Sequence, residues 1–352
     1  MLRIGIVGTG LIAWAHGLSL GAMARAGVIE AEITAVHDLD DQRAAGFASV
    51  VGGAAVGDVG EVIDRCDAVW VCTPTSAHRS VIDAALSGER AIFCEKPLAT
   101  DLHHAQELCD AVDAVSVPAQ SGLVLRSAPV FVALRELVRT EEFGRPMAAV
   151  FRDDQYFPIQ GTYASNSAWR ADVAQSGGGC LIEHSIHDVD ILRFCFGEVT
   201  SVHARTANFA GHESVEDVAS VSMEFASGFN AQLTSVWHNI LRRGSSRRIE
   251  VFFEGGLAWL DNEFVGPLHV ETSSGTEQRA CPKPQWVDGL DFGGEEVGLA
   301  VSPYVEEDRN FVDAVLSGTR PEPALGEALI AHRLVDAAYR SAAAGGTAVT
   351  LW

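Results

Sequence analysis

Leu2-Arg3-Ile4-Gly5-Ile6-Val7-Gly8-Thr9-Gly10-Leu11-Ile12-Ala13 is the stretch on which the reading of this chain turns. A short apolar run of strand length passes directly into G-x-G-x-x-A and then into a helical period that continues to Ala26. Gly8 permits a tight turn, Gly10 lets backbone N–H groups approach a diphosphate, and the small Ala13 lets a helix pack closely on the strand. The free N–H groups and the macrodipole at a helix N-terminus favour an anion there. Glycine turns also occur in loops that bind nothing, but strand, triplet and helix in one short segment point to a dinucleotide held by Gly8, Thr9, Gly10, Leu11 and Ile12.

Outward from this segment, apolar runs at Leu2–Val7, Ile33–His37, Ala68–Cys72, Ala91–Cys94 and Val117–Ser121 alternate with helical periods at Leu11–Ala26, Ser76–Leu86 and Leu102–Val115. That rhythm predicts parallel crossovers and a doubly wound Rossmann sheet over residues 1–122. Beyond Gly122 the pattern changes. A helix is expected at about Ala128–Thr140, a strand at Met147–Asp153, and a helix from Gly177-Gly178-Gly179 through Phe196, closed by Gly197. Strands Val199–Phe209, Val218–Phe225, Phe229–His238, Arg248–Phe253 and Leu257–Leu260 then follow with short turns, which implies antiparallel pairing. Helices at Val305–Leu316 and Leu325–Ala343 close the chain, so 123–352 is expected to form a separate α+β domain.

The bulk properties fit two globular domains. The 352 residues are 47% hydrophobic and 20% charged, ample for buried cores. A formal charge of -22 repels nucleic acid and anionic membrane surfaces, and no apolar run reaches the length of a membrane span. With no basic, apolar leader before the first strand, the expected location is the cytoplasm. Seven cysteines without a C-x-x-C pair read as reduced, buried thiols.

Several residues then fall where chemistry is expected. Asp38 closes the second strand, where a carboxylate accepts hydrogen bonds from ribose hydroxyls and repels a 2′-phosphate, favouring NAD over NADP; the competing reading is a helix N-cap. Thr73-Pro74, His78, Glu95 and Lys96 follow the ends of later strands, at the carboxyl edge where open α/β sheets bind ligands. Glu183 and His187 lie four apart in the expected helix, which would put a carboxylate one turn before an imidazole. His184 and Asp188 beside them make a zinc site conceivable, but no third ligand cluster accompanies them, and no metal is expected. Arg126, Asp153, Tyr156, Trp169, Arg170 and His238 are polar or aromatic candidates for gripping a small hydroxylated substrate, each with a plain packing or ion-pair alternative.

Taken together, G-x-G-x-x-A, Thr73-Pro74 with His78, Glu95-Lys96-Pro97, Arg126 ahead of Pro129, and the triple glycine leading to His187 and Asp190 resemble the Gfo/Idh/MocA oxidoreductases over nearly the whole chain. The resemblance implies a second domain with an open, largely antiparallel sheet that serves as the interface of a homo-oligomer, dimer or tetramer. It also implies that Lys96 and His187 are catalytic, with Glu183 where the family more often has aspartate and Ser185 where it has glycine. The expected activity is NAD-dependent hydride transfer at a secondary alcohol or ketone of a sugar, polyol or cyclitol. Redox chemistry on a non-carbohydrate carbonyl and a non-catalytic NAD-binding regulator are the alternatives.

Overall fold

The computed structural model describes residues 1–351 except 161–166, 265, 282–283 and 293. The chain begins β1 (Leu2–Val7), α1 (Leu11–Arg25), β2 (Ala31–His37), α2 (Asp41–Val51), β3 (Ala54–Ala55), α3 (Val59–Arg65), β4 (Ala68–Val71), α4 (His78–Ser87), β5 (Ala91–Glu95), α5 (Leu102–Val115) and β6 (Ala119–Gly122). It continues α6 (Pro129–Thr140), β7 (Pro146–Tyr156), α7 (Val173–Ser176), α8 (Ile186–Phe196), β8 (Val199–Ala207), β9 (Val218–Phe225), β10 (Asn230–His238), β11 (Ser246–Phe253) and β12 (Leu257–Leu260). Last come β13 (Leu268–Thr272), β14 (Gly275–Arg279), α9 (Glu295–Ser317), α10 (Leu325–Ala343) and β15 (Val349–Thr350).

Two compact units emerge, one of residues 1–124 with 284–329 and one of 125–283 with 330–352. The first holds a six-stranded sheet in the order β3-β2-β1-β4-β5-β6, every pair parallel. Parallel strands covered on both faces must be apolar on both, and β4 is buried at all four positions. One face packs on α1 and α2 through Leu20, Met23 and Phe47, and the other on α3, α4 and α5 through Val62, Ile82 and Leu108.

The second unit holds a nine-stranded sheet, β14-β13-β12-β11-β7-β10-β9-β8-β15. Its pairs are antiparallel except at the centre, where β7 runs parallel to β10. Alternation along β9, β10 and β11 buries Val221, Leu233 and Ile249 on one face and leaves Ser220, Gln232 and Phe252 toward the other.

Three expectations change. The weakly patterned strands β3, β13, β14 and β15 were not anticipated; β3 and β15 are only two residues long, and β14 has no fully buried residue. Helix α9 begins ten residues before the expected Val305 because it runs through an internal proline, Pro303. The division at residue 122 also fails to separate the units cleanly, since 284–329 belongs with the first. The reason is apolar burial: Val305, Phe311 and Val312 of α9 enter the core formed by β1, β4 and α1. There Trp70 stacks on Phe93 at 5.5 Å and meets the edge of Phe311 at 5.0 Å.

Phe311→Ala should therefore destabilise the nucleotide-binding unit by about 3–5 kcal/mol, the range for deleting a buried aromatic ring. Urea unfolding of the two proteins measures this, and a loss below about 1 kcal/mol would show that α9 is peripheral to that core.

Candidate active site

The end of β1 sits against the end of β4. Gly8 has φ of +88°, and a Cβ there would lie 2.6 Å from the Cys72 carbonyl oxygen and 2.9 Å from the Thr73 nitrogen. Only glycine accepts both that backbone region and that approach. The next residue turns back to β2: the Thr9 N–H donates to Asp38 Oδ2 at 2.8 Å and its hydroxyl to the same oxygen at 2.7 Å. Gly10 caps α1 without any side-chain bond, and a Cβ at Gly10 would meet nothing within 4 Å, so the helix N-terminus opens onto free space. Leu11 is well exposed and Ala13 wholly buried beneath it. Thr73 Oγ1 is buried with no hydrogen-bond partner among the described residues. An open helix terminus and an orphaned hydroxyl beside Gly8 are what a diphosphate-bearing cofactor would complete.

Asp38 also accepts from the Asp40 N–H at 2.9 Å and from Arg43 at 2.7 Å. Burial opposes its charge, but the Asp40 N–H, both Thr9 donors and Arg43 outweigh it and hold the carboxyl below its ordinary range. The N-cap of α2 is Asp40, whose side chain accepts from Gln42 and Arg43 N–H groups, so the competing cap reading of Asp38 falls away.

His78 is buried, with Nε2 3.0 Å from the Thr73 carbonyl and Nδ1 3.3 Å from that of Leu98 and 3.6 Å from the Cys94 thiol. It joins the loops after β4 and β5 and has only 1% exposure, so its expected place as a cofactor contact gives way to a structural one. Glu95 likewise points inward, accepting from the Lys96 N–H at 3.1 Å and facing His16 Nε2 at 2.9 Å. Lys96 is half-buried at the end of β5, followed by Pro97 in a cis peptide.

In the second unit, the triple glycine is explained by packing. A Cβ on Gly179 would lie 1.8 Å from the Glu216 carbonyl oxygen, and one on Gly178 would lie 2.6 Å from the Tyr339 hydroxyl. The Glu216 carboxylate accepts from the N–H groups of Gly179 and Leu181 at 2.8 and 2.9 Å, holding the start of a π-turn at Cys180–His184. That turn corrects the expected continuous α-helix. With α8 starting only at Ile186, the i, i+4 relation between Glu183 and His187, which assumes 3.6 residues per turn throughout, does not carry across. Glu183 instead accepts from Arg170 Nε at 2.6 Å, while Arg170 stacks over Trp169 at 4.4 Å and donates to Ser167. His187 lies buried in the first turn of α8.

Asp153 is interior rather than a substrate ligand. It is fully buried between β11 and the π-turn, within 3.4 Å of Arg247, 3.2 Å of His184 and 2.7 Å of the Ser185 hydroxyl. Arg247 continues to Asp188 at 2.6 Å and Glu263 at 2.9 Å. Burial would raise the Asp153 carboxyl, but Arg247 and His184 outweigh it and hold it well below its ordinary range; burial and the neighbouring Asp153 push Asp188 well up in spite of Arg247. Tyr156 is buried as well. Arg126 forms a two-bond pair with Asp190 at 2.7 and 2.6 Å, and His238 faces Asp154 at 3.4 Å. Of the substrate candidates, then, only Trp169, Arg170 and Glu183 are joined to one another by the contacts above. Among the described residues no group of three or more His, Cys, Asp or Glu is arranged to hold a metal ion.

Sequence reasoning overlooked His16, Glu216, Arg247, Glu307 and Asp308. His16 carried a usable signal, since it falls three residues after Ala13 on the sheet-facing side of α1.

Comparison with known proteins decides the lineage. An oxidoreductase-family model with an NAD-binding Rossmann fold matches residues 2–123, and the GFO/IDH/MocA C-terminal domain model matches 131–258. The chain belongs to the Gfo/Idh/MocA oxidoreductase family. It is 27% identical over 348 residues to an inositol 2-dehydrogenase of Rhizobium meliloti, spanning 97% of each chain. It is 31% identical over 241 residues to a 1,5-anhydro-D-fructose reductase of Ensifer adhaerens, 66% of this chain and 68% of that one. A levoglucosan dehydrogenase solved with NADH and levoglucosan superposes with a TM-score of 0.85 over 99% of each chain, at 20% identity, a likeness of fold. As a member of this family the chain is an NAD-binding oxidoreductase. No helix among the described residues is long and apolar enough to cross a membrane.

The environment of His78 sets a pH dependence. Burial holds its imidazole below the ordinary value in spite of the Thr73 and Leu98 carbonyls. Below about pH 6.5 the unfolded chain takes up a proton that the folded unit refuses, so the stability present at neutral pH declines on acidification, by at most about 1.4 kcal/mol per pH unit for this one group. In urea unfolding between about pH 5 and 7.5, His78→Gln should flatten the acid slope by up to that amount. An unchanged slope would mean that His78 is protonated in the folded unit.

Proposed function

We propose that this chain transfers hydride between NAD and a secondary alcohol or ketone of a sugar, polyol or cyclitol. The observation that carries the reading is the cradle formed by Gly8, Thr9, Gly10 and Asp38, with Lys96 anchored at the end of β5 by the Glu95 carboxylate. The substrate class is supported by relatives named for inositol and 1,5-anhydro-D-fructose. When bound, NAD supplies the acceptor or donor of hydride at nicotinamide C4. Gly8–Ile12 and Thr73-Pro74 would hold its diphosphate and Asp38 its ribose hydroxyls. Arg43, whose guanidinium would suit a 2′-phosphate, is instead paired with Asp38.

The rest of the reaction falls to the chain's own side chains. Oxidation of CH–OH to C=O releases a hydride and the hydroxyl proton; reduction takes up both. His187 exchanges the proton, since its ordinary pKa lies near neutrality, and the Lys96 ammonium polarises the reacting oxygen. The Trp169, Arg170 and Glu183 group presents an aromatic face beside an internally balanced ion pair, which suits a neutral hydroxylated substrate. The open face of the nine-stranded sheet, with Val150 and Phe252 exposed, is assigned to pairing with a second copy. The cytoplasm remains the proposed location, in keeping with seven buried cysteines that form no disulfide.

NAD+ reduction measured against a panel of polyols and cyclitols tests the activity, and no turnover with any of them would sink the substrate class. NADH should bind at least tenfold more tightly than NADPH, about 1.4 kcal/mol, with Asp38→Ala narrowing the gap; calorimetric titration giving equal affinities would overturn the role of Asp38. Lys96→Ala and His187→Ala should each lower kcat roughly 100-fold while leaving NADH affinity intact. Near-normal turnover in either variant would remove that residue from the chemistry.

A further inference from the structure

The first unit buries an imidazole among three carboxyl groups. His16, wholly enclosed on α1, places Nδ1 2.7 Å from Asp308 Oδ1 and Nε2 2.9 Å from Glu95 Oε1. A neutral ring has a single N–H and can donate to one carboxylate only. Both short contacts are satisfied together when the ring is an imidazolium donating in both directions. Burial opposes that charge, yet Asp308 and Glu95 outweigh it and hold the ring well above its ordinary value.

The groups facing His16 from the neighbouring elements leave this charge in place. From α9, Glu307 is fully buried with neither carboxyl oxygen hydrogen-bonded among the described residues, and burial together with Glu95 pushes its carboxyl well up. The Tyr304 ring meets His16 edge-on at 5.3 Å. From β4, the Trp70 N–H donates to Asp308 Oδ1 at 3.0 Å, and burial pushes the Cys72 thiol well up, leaving it neutral. From β5 come the Phe93 ring at 4.9 Å and Glu95 itself. The other oxygen of Glu95 accepts from the Lys96 N–H at 3.1 Å, and the carboxylate is backed by Gly122, where a Cβ would lie 2.6 Å from it.

We propose that His16 is a positioning residue, a buried imidazolium that bridges Glu95 and Asp308, fixes the Glu95-Lys96 segment and contributes a permanent positive charge to the surroundings of the Lys96 ammonium. The proposal rests on the reading of Lys96 as the residue that polarises the reacting oxygen. It ties three parts of the unit at one point: the helix whose N-terminus faces the diphosphate position, the strand end that carries Lys96, and the returning helix α9.

The sequence makes a direct test possible, because the chain has two lysines only, Lys96 and Lys283. In the full-length Lys283→Arg protein, 13C-dimethylation labels Lys96 as the one side-chain amine, and its resonance can be titrated by NMR without reference to turnover. Adding His16→Gln removes the positive charge while keeping a donor for one carboxylate. The Lys96 midpoint should then rise by at least ~0.5 unit, since a nearby cation disfavours the ammonium and its loss relieves that. A smaller shift, or a downward one, in the folded double variant overturns the proposal. Should the double variant fail to fold, 15N-histidine spectra of the Lys283→Arg protein at about pH 8 decide the matter. A ring protonated on both nitrogens supports the imidazolium, and its absence overturns it. Full turnover in Lys96→Ala would remove the catalytic reading of Lys96, whereas the NMR outcome for His16 would stand independently of it.

Discussion

Between the end of β1 and the end of β4 there is no room for a side chain, and the candidate site of the first unit is built on that contact. Because a Cβ at Gly8 would collide with the Cys72 carbonyl, the backbone must turn there in a left-handed conformation, which lets the next N–H reach Asp38 and starts α1 two residues later with its amides facing open space. The same approach sets Thr73 beside the turn, with His78 gripping the Thr73 carbonyl from below. A parallel sheet sends every strand's carboxyl end to one edge, so one steric constraint at β1 and β4 organises residues from three separate segments.

Both units handle buried charge in a similar way. In the first, His16 is held between carboxylates of β5 and α9; in the second, Arg247 of β11 is held among Asp153 of β7, Asp188 of α8 and Glu263. Each cation joins a helix to a strand, and each cluster contains one carboxyl that burial pushes well up, Glu307 in the first and Asp188 in the second. Desolvating such groups is costly, and removing one partner leaves an uncompensated buried charge. Arrangements of this kind therefore specify geometry more than they add stability. In a chain with 47 acidic residues against 25 basic ones, a buried carboxylate needs a dedicated cation or a set of N–H donors, and His16, Arg247 and the Gly179 and Leu181 amides around Glu216 supply them.

What could be read in advance followed from local periodicity. The G-x-G-x-x-A turn, the six-stranded sheet apart from its two-residue β3, and the helix after Gly122 are all encoded by residues adjacent in sequence, where side-chain period and glycine position speak directly. Contacts across long separations were not legible. Nothing near Trp70 announces Phe311, and nothing near His16 announces Asp308, 292 residues away. The π-turn at Cys180–His184 was missed for a different reason. Its cause lies in Glu216, whose carboxylate takes two N–H groups of the segment and whose carbonyl forbids a side chain at Gly179. A helical period in the sequence cannot register a constraint imposed from another strand connection.

The distribution of cations separates structural from chemical work. The chain has 23 arginines and two lysines among its 25 basic residues. Arginines supply the two-bond pair with Asp190, the stacked pair with Glu183 and the bridge between Asp153 and Asp188. A guanidinium suits those places because it is planar, forked and never loses its proton, so the contacts hold at any working pH. That permanence disqualifies it where a proton or a tunable charge is needed. An ammonium responds to its neighbours, and one of the two lysines stands at the end of β5, its backbone tied to a carboxylate that His16 faces from the other side. In the reaction proposed for this chain, the surroundings of Lys96 are thus set by an imidazolium locked between two carboxylates, with the Glu307 carboxyl beside them pushed well up by burial.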